Sequence, residues 1–255
     1  MSLQAQKLDE MDLGPSTSLV YCPPGFGKST MLGLIAERSK GNTLVIDVDR
    51  TVTKTLAKHE IVKDTSKVII HKLENRAEPR DGSRLGTFKA WCELFRDLTP
   101  EFIKACEIEN IAVDNISELQ RCILSDLGQQ GKNKGVPAQA DYQYMHFALV
   151  NSLRQMKALG VNVIWTAWET TEEIIDVSGS KYTRMVPDVH KKILNNICGL
   201  CDVVGKIYVN KEGEHGVLLS AMQNVYAKNQ IDARKTCKVE DFMNWERNKD
   251  EKEKK

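Results

Sequence analysis

The stretch Tyr21-Cys22-Pro23-Pro24-Gly25-Phe26-Gly27-Lys28-Ser29-Thr30 decides how the rest of the chain is interpreted. An apolar segment ends at its start, two glycines follow, and Lys-Ser-Thr opens a segment with helical spacing. Glycine tolerates the backbone conformations that turn successive N–H groups toward one anion, and a helix beginning there adds its positive end. The stretch therefore predicts a phosphate-binding loop between a buried strand and a helix.

The motif assigns a role to individual residues of this loop. We expect Lys28 to reach the β- and γ-phosphates of a nucleoside triphosphate, and the Ser29 hydroxyl to bind Mg²⁺. The full pattern G-x-x-x-x-G-K-[ST] has glycine where this chain has Cys22, which we expect to be tolerated because it lies at the strand end, outside the turn. The alternative is a tight strand-to-helix turn with a surface lysine. The residues predicted to bind the nucleotide are Pro24, Gly25, Phe26, Gly27, Lys28, Ser29 and Thr30.

Composition is that of an ordinary globular protein. The chain has 255 residues, 41% of them apolar and 28% charged, and its 36 basic and 35 acidic residues give a net charge of +1. This length suffices for one α/β domain with a full core. The near-zero charge means that any nucleic-acid contact would have to be a local patch. Because no long apolar run or signal-type segment occurs, we expect no membrane contact and a cytoplasmic location in a bacterial host cell.

The cysteines are expected to be reduced thiols. There are seven, an odd number, scattered through predicted strands and helices. Cys198 and Cys201 form an isolated C-x-x-C pair in an apolar helical stretch. No second pair and no H-x-x-x-H segment lies nearby to complete a tetrahedral metal site, so core packing is favoured over a metal or redox role.

Apolar periodicity predicts strands alternating with helices. The predicted strands are 17–21, 43–47, 67–71, 108–113 and 161–166, and the predicted helices are 29–38, 87–98, 117–127, 142–159 and 187–201. This order is typical of an α/β fold with a mainly parallel twisted sheet and helices on both faces. Segments 74–84 and 128–139 are predicted loops, 173–177 and 181–186 a hairpin, and 202–210, 216–222 and 225–228 closing antiparallel strands. The predicted domains are a loosely ordered lead-in (1–14), a core (15–237) and a charged tail (238–255).

Polar side chains follow several predicted strands at their carboxyl ends, where ligands bind in parallel sheets. Asp114 is expected to hold Mg²⁺ directly or through water, or to cap the next helix, and both roles are compatible. Asp47 and Asp49 end another strand, and either could orient the water that attacks the γ-phosphate or serve as a loop cap or salt-bridge partner. Thr166 ends the strand expected beside that of Asp114, where a hydroxyl can contact a γ-phosphate.

Two basic segments are candidate polynucleotide contacts. One carries Lys132 and Lys134 between glycines, and the other carries Lys181, Tyr182 and Arg184. Cations for phosphates, flexible glycines and a stackable ring are what single-strand binding requires. Basic surface loops are also common in proteins that bind no nucleic acid, so these segments alone do not establish the ligand.

Together, these segments resemble a known family. The loop 23–30, the strand ending Ile46-Asp47-Val48-Asp49, the Asp114 strand, the helix opened by Ala140-Asp141-Tyr142, and Val163-Ile164-Trp165-Thr166-Ala167 occur in RecA order. Over residues 15–230 the chain resembles minimal RecA-like P-loop ATPases of bacteriophages, some of which act as single-strand annealing recombinases. The resemblance implies a RecA-like ATPase domain over 15–237, ATP and Mg²⁺ as ligands, and a role in annealing or strand exchange.

The resemblance also implies residue roles and partners. Asp114 matches the Walker B acid, and Asp49 matches the position of a catalytic glutamate. Aspartate is one methylene shorter, which implies weak or DNA-stimulated hydrolysis. The two basic segments match loops that bind DNA in RecA, while Lys228 and Arg234 are candidates for a cation supplied to a neighbouring subunit's site. The implied partners are single-stranded DNA, further copies of this chain in a ring or filament, and a single-strand-binding protein.

Three other functions stay open. A small-molecule P-loop kinase would need an arginine lid, for which Arg76, Arg80 and Arg84 are available. An AAA+-type motor or helicase loader is disfavoured because Asn115 follows Asp114 where a second acid is usual, and no helical lid domain follows the core. A non-enzymatic, nucleotide-gated binding module would fit Asp49 as a poor catalytic carboxylate.

Overall fold

The computed structural model describes residues 14–57, 61–73, 86–133, 135–176 and 178–245. The helices in this part of the chain are α1 (Lys28–Arg38), α2 (Val52–Leu56), α3 (Thr87–Asp97), α4 (Pro100–Ala105), α5 (Ile116–Gln130), α6 (Gln139–Lys157) and α7 (Lys191–Leu200). The strands are β1 (Thr17–Cys22), β2 (Asn42–Asp47), β3 (Val68–Lys72), β4 (Ile108–Asp114), β5 (Asn162–Ile175), β6 (Lys181–Pro187), β7 (Val203–Val209), β8 (His215–Leu218), β9 (Lys228–Asn229) and β10 (Thr236–Lys238). A 3₁₀ turn, Val239–Asp241, follows β10.

The strands form a mixed sheet in the order β10-β8-β7-β1-β5-β4-β2-β3. Neighbouring strands from β7 to β3 run parallel, while β8, β9 and β10 join antiparallel at the C-terminal end of the sheet. β6 pairs antiparallel with the outer half of β5. The predicted fold class, a mainly parallel sheet flanked by helices with C-terminal antiparallel strands, is confirmed.

Two apolar cores cover the two faces of the sheet. Alternate residues of β1 point to opposite faces, so that Leu19 and Tyr21 join one core and Val20 and Cys22 the other. The first core packs under α3, α4, α5, α6 and α7, and the second packs under α1, α2 and the C-terminal 3₁₀ turn. No helix in the described residues is long and apolar enough to cross a membrane.

The register of the parallel strands brings their carboxyl ends to one edge. Cys22 at the end of β1 lies beside Trp168 of β5, and Asp47 at the end of β2 lies beside Asp114 of β4. Because β5 lies between β1 and β4, the phosphate loop and Asp114 are separated by one strand, which carries Thr166. The polar residues picked out in the sequence therefore meet at this edge.

Several predicted boundaries differ from the structure. β5 continues as one strand from Asn162 to Ile175, where the sequence predicted two separate strands, because Glu169–Ile175 pair with β6 after the strand leaves the central sheet. The predicted helix 187–201 begins only at Lys191, since Pro187 ends β6. Helices α2 and α4 were not predicted. They have 5 and 6 residues, too short for a clear apolar period.

The loop and closing-strand predictions also need adjustment. α5 extends to Gln130 and α6 begins at Gln139, so the connection between them is shorter than the predicted loop 128–139. β8 ends at Leu218, and the predicted strand 225–228 is reduced to a bridge at Val225 and the short β9. The lead-in 1–13, segment 74–85 with its three arginines, Lys134 and residues 246–255 lie outside the described residues.

Residues 238–245 belong to the core, whereas the sequence placed them in a solvated tail. Val239 is 4% exposed and Phe242 is 0% exposed. The Trp245 indole N–H donates to Ser16 Oγ at 3.0 Å, and Arg38 pairs with Asp241 at 2.5 Å. This packing could not be recognised in the sequence, because a few buried apolar side chains among many polar ones show no helical or strand period.

Phe242→Ala tests this packing. Removing a fully buried phenylalanine leaves a cavity and should lower the free energy of unfolding by about 3–5 kcal/mol in urea titrations. The matched control is Phe147→Ala, because Phe147 is 68% exposed on α6 and its removal should change the free energy by less than about 0.5 kcal/mol. Equal effects of the two substitutions would show that the C-terminal turn does not contribute to the core.

Candidate functional site

The phosphate loop has the backbone that the motif predicts. Gly25 and Gly27 adopt left-handed φ angles of 84° and 94°, which other residues rarely adopt. The Phe26 N–H donates to the Pro23 carbonyl at 3.4 Å, which closes the turn. No side chain among the described residues caps the start of α1. The first N–H groups of that helix therefore lack partners within the helix and are available to an anion.

Lys28 and Cys22 meet beneath this loop. Lys28 is only 7% exposed, and its Nζ donates to the carbonyl oxygens of Cys22 and Pro23 at 3.3 and 3.4 Å. The Cys22 Sγ lies 3.7 Å from the same Nζ. Burial raises the pKa of the Cys22 thiol to about 11, although the nearby Lys28 ammonium opposes this shift. Cys22 is the last residue of β1, as expected, and its neutral thiol supports the lysine.

Asp114 is the centre of the site. It is 1% exposed, Ser29 Oγ donates to its Oδ2 at 2.5 Å, and Thr166 Oγ1 donates to its Oδ1 at 2.5 Å. Burial raises the pKa of Asp114 to about 6, while the hydrogen bonds from Ser29 and Thr166 oppose the shift. A hydroxyl and a carboxylate at the phosphate loop are a fitting set of oxygen donors for Mg²⁺, which combines one or two protein oxygens with phosphate oxygens.

The two acids after β2 occupy different environments. Asp49 accepts hydrogen bonds from Thr51 Oγ1 at 2.6 Å and from the Asn115 amide at 2.8 Å, and it lines the cavity over the phosphate loop. Asp47 is fully buried and accepts from the Thr51 N–H at 3.2 Å. Burial, with a contribution from Asp49, raises the pKa of Asp47. Asp49 is therefore the acid placed to face a ligand, and Asp47 supports the loop.

A cavity of about 720 Å³ lies over the phosphate loop. Its walls include the loop, the start of α1, Asp49, Asp114, Trp168, and Lys54 of α2. The cavity combines backbone donors, a cation and two carboxylates in a space large enough for a triphosphate. Of the residues predicted to bind nucleotide, Pro24, Gly25, Gly27, Lys28, Ser29 and Thr30 line it, and Phe26 does not.

The family model for the AAA domain AAA_24 matches residues 15–231. The chain belongs to this AAA domain family. Family and fold together support a P-loop NTPase that binds nucleotide. A KaiC-like protein from the hyperthermophilic archaeon Pyrococcus horikoshii OT3 is similar over 82% of this chain and 81% of that chain, with 13% identity and a TM-score of 0.47. No curated protein matches.

The Thr166 hydroxyl of this AAA domain protein contacts a protein side chain. The sequence predicted that its hydroxyl would contact a γ-phosphate. The structure buries Thr166 completely and directs the hydroxyl to Asp114 instead. Its contribution is therefore to orient the Asp114 carboxylate.

The helix cap that the sequence interpretation offered as a role for Asp114 is made by Asn115 instead. Its Oδ1 accepts from the Glu118 N–H at 2.9 Å and caps α5, while its amide holds Asp49. The signal in the sequence was the residue type itself, because asparagine is strongly preferred at the N-cap of a helix.

The hairpin cations predicted to contact DNA are paired within the protein. Arg184 lies 2.6 Å from Glu172, and Lys181 lies 3.0 Å from Glu173. Segment 169–187 contains four acids and two bases, which gives the hairpin a net charge of −2. Tyr182 is half-buried opposite Ile174. Lys132 is exposed just beyond α5, and Lys134 lies outside the described residues.

Both cations predicted to act on a neighbouring subunit's site have partners within their own chain. Lys228 Nζ donates to the carbonyl oxygens of Cys198, Gly199 and Cys201, which end α7. Arg234 pairs with Asp232 at 2.7 Å and packs over Trp245. Cations at a helix C-terminus offset the partial negative charge there, so Lys228 has a structural role in the folded chain.

The cysteine pair near α7 lies in the core. Cys198 and Cys201 are both buried free thiols, and burial raises the pKa of both, that of Cys198 to about 12. Within the described residues, no group of three or more histidine, cysteine or acidic side chains is arranged to hold a metal ion. The arginine segment that a kinase lid would need lies outside the described residues.

Thr166→Val tests the support of Asp114. The substitution keeps the shape of the side chain but leaves Oδ1 of a buried carboxylate without its hydroxyl partner, which should lower the free energy of unfolding by about 1–3 kcal/mol. Thr166→Ser keeps the hydroxyl, so most of the free energy of unfolding that the valine variant loses should be kept in urea titrations. If the valine variant were as stable as the serine variant, the hydrogen bond would not hold Asp114.

Proposed function

We propose that the protein is a Mg²⁺-dependent ATPase that acts on single-stranded DNA, in annealing or strand exchange. The ATPase part of the proposal rests on the positions of Ser29 and Asp114. Ser29 Oγ lies 2.5 Å from Asp114 Oδ2, at the N-terminus of a helix that no described side chain caps and next to a left-handed glycine turn. A carboxylate directly behind a phosphate loop has little use in anion binding alone, because it would repel the phosphates. A metal ion between carboxylate and phosphates removes that repulsion.

Each residue then has a defined task. The N–H groups of Gly27, Lys28 and the first turn of α1 bind phosphate oxygens, and the Lys28 ammonium moves from the loop carbonyls to the β- and γ-phosphates. Ser29 and Asp114 would hold Mg²⁺, which when bound would neutralise charge on the phosphates. Thr166 keeps Asp114 in the orientation that faces Ser29.

Asp49 is the residue proposed to orient the attacking water. It lines the cavity, and both of its oxygens already accept hydrogen bonds from Thr51 and Asn115. Those contacts hold the carboxylate in place but compete with water for its lone pairs. Hydrolysis in the free protein should therefore be slow. A movement of Asn115, the residue before α5, would break its hydrogen bond to Asp49 and make that carboxylate oxygen available to water.

The proposed DNA contact begins at Lys132. α5 connects Asn115, which holds Asp49, to the exposed Lys132 just beyond its other end. A strand bound at Lys132 and Lys134 could thus act on the site through one helix. The hairpin residues Lys181, Tyr182 and Arg184 are the secondary contact, because the charges of Lys181 and Arg184 are already paired. Assembly into a ring or filament and contact with a single-strand-binding protein are further parts of the proposal, supported by the resemblance alone.

ATP turnover with and without single-stranded DNA tests the proposal. We expect slow turnover that DNA stimulates, and Lys28→Ala should lower turnover about 100-fold, since it removes a cation from the transferred phosphate. Lys132→Ala should keep the turnover rate without DNA and raise the DNA concentration needed for half-maximal stimulation. It should also reduce, by about one, the slope of the logarithm of DNA affinity against the logarithm of salt concentration. The control Lys181→Ala removes a cation that is already paired with Glu173 and should have a smaller effect.

Two outcomes would contradict parts of this proposal. Turnover that requires Lys28 but does not respond to DNA would leave an ATPase and remove the DNA role. Transfer of phosphate to a nucleoside or sugar, without release of free phosphate, would replace the ATPase by a kinase.

A further inference from the structure

A second cavity adjoins the one over the phosphate loop. It has a volume of about 440 Å³ and shares Gly27, Thr30 and Ile61 with its neighbour. We call it the hairpin groove, because it lies between α1 and the hairpin that joins β7 to β8, with β10 and the 3₁₀ turn completing it. Its remaining lining includes Leu34, His215, Cys237 and Val239. The shared residues place the two cavities next to each other across the first turn of α1.

The direction of a bound nucleotide follows from the charges. Asp114 and Asp49 line only the cavity over the phosphate loop, so the metal and the terminal phosphate belong there. Thr30, the third residue of α1, lines both cavities and lies on the same side of the helix as Leu34, one turn later. A triphosphate that runs from the acids along the helix start therefore leaves the phosphate loop at Thr30, toward the hairpin groove.

The lining of the hairpin groove suits a flat, amphipathic ring system. Leu34 and Val239 offer apolar surface, and the His215 ring is a stacking partner. Asn210, Glu214, Lys238 and Glu240 supply polar groups around it. A few polar groups around an otherwise apolar wall are typical of small-molecule sites. The groove thus offers a surface for a base and a sugar on the side of the phosphate loop away from the two acids.

His215 connects the groove to the phosphate loop. Its Nδ1 lies 3.3 Å from the Phe26 carbonyl oxygen, and a Cβ added to Gly27 would lie 3.4 Å from the same Nδ1. The hairpin is held in shape by Asn210, whose Oδ1 accepts from the Glu214 N–H at 2.7 Å. The imidazole therefore lies directly beside the glycine turn that would hold the phosphates.

We propose that the hairpin groove binds the base and ribose of the nucleoside triphosphate, with His215 against the base. This inference rests on the proposed function, because it assumes that the phosphate loop holds a triphosphate. A competing position for the base is Trp168, which lines the opposite side of the phosphate cavity. His215 is the better placed of the two, because Trp168 lies on the side of Asp114 and Asp49, where the metal belongs.

Cys237 provides a test in the unaltered protein. It lies within the groove and is only partly exposed, whereas Cys92 is exposed on α3, outside the groove. Alkylation by N-ethylmaleimide at saturating Mg²⁺·ATP or Mg²⁺·tripolyphosphate is followed by peptide mass spectrometry. ATP should slow labelling of Cys237 at least about fivefold, tripolyphosphate should slow it less than about twofold, and labelling of Cys92 should not change. Equal protection by both ligands, or none by ATP, would overturn the proposal.

Binding of the same two ligands to variants gives an independent measurement. His215→Ala should weaken ATP about tenfold and tripolyphosphate less than about twofold, because the contact with the base is lost while the backbone donors of the phosphate loop remain. His71→Ala, on β3 outside both cavities, is the matched control and should change neither affinity. Loss of ATP affinity on Trp168→Leu but not on His215→Ala would overturn the proposal in favour of the other position. If the parent protein bound neither ligand, the proposed function itself would fail, and the groove proposal with it.

Discussion

The site depends on one buried carboxylate. Asp114 is almost completely excluded from solvent, and its two oxygens are occupied by hydroxyls from two different elements, Ser29 of α1 and Thr166 of β5. A buried carboxylate is costly unless it is hydrogen-bonded, and bonds to charged groups contribute about 1.5–3 kcal/mol each. These two bonds therefore fix the distance between the phosphate loop and the β4 strand end. They also place Asp114 Oδ2 directly against the Ser29 hydroxyl, and these are the two oxygens that would hold a metal ion.

Much of this arrangement could be predicted from the sequence. The glycines, Lys28 and Ser29 identified the loop because few other structures need them in that order, and Asp114 followed from an acid at the end of a buried strand. The contact of Thr166 with Asp114 could not be predicted, because it depends on which strands are neighbours and on their register. The packing of Phe242 was missed for a related reason, since the apolar cluster around it combines residues of α1, about 200 positions earlier, with residues of β7 and β8.

The cations show a different limit of sequence reasoning. Sequence counts Lys181, Arg184, Lys228 and Arg234 as available charges, but the fold gives each a partner in the same chain. Whether a cation is free depends on acids brought near it by strand pairing, such as Glu172 opposite Arg184. Of the two segments predicted to contact DNA, the pairing of the hairpin cations therefore favours the proposal that Lys132, just beyond α5, makes the main contact. In that proposal, Asp49, held by Asn115 at the other end of the helix, is the group through which a bound strand would act.

The most direct test of the central claim is a crystal structure with Mg²⁺ and a non-hydrolysable ATP analogue. We expect the metal to bind Ser29 Oγ directly and Asp114 either directly or through water. Direct binding of both oxygens at about 2.0–2.1 Å in octahedral geometry would increase their separation from 2.5 Å to about 2.9 Å. If Asp114 binds the metal through water, the Ser29 hydroxyl keeps its proton and still donates to Asp114 Oδ2, so the separation stays near 2.5 Å. A nucleotide bound away from the glycine turn, or a metal that does not contact Ser29, would contradict this assignment of the site.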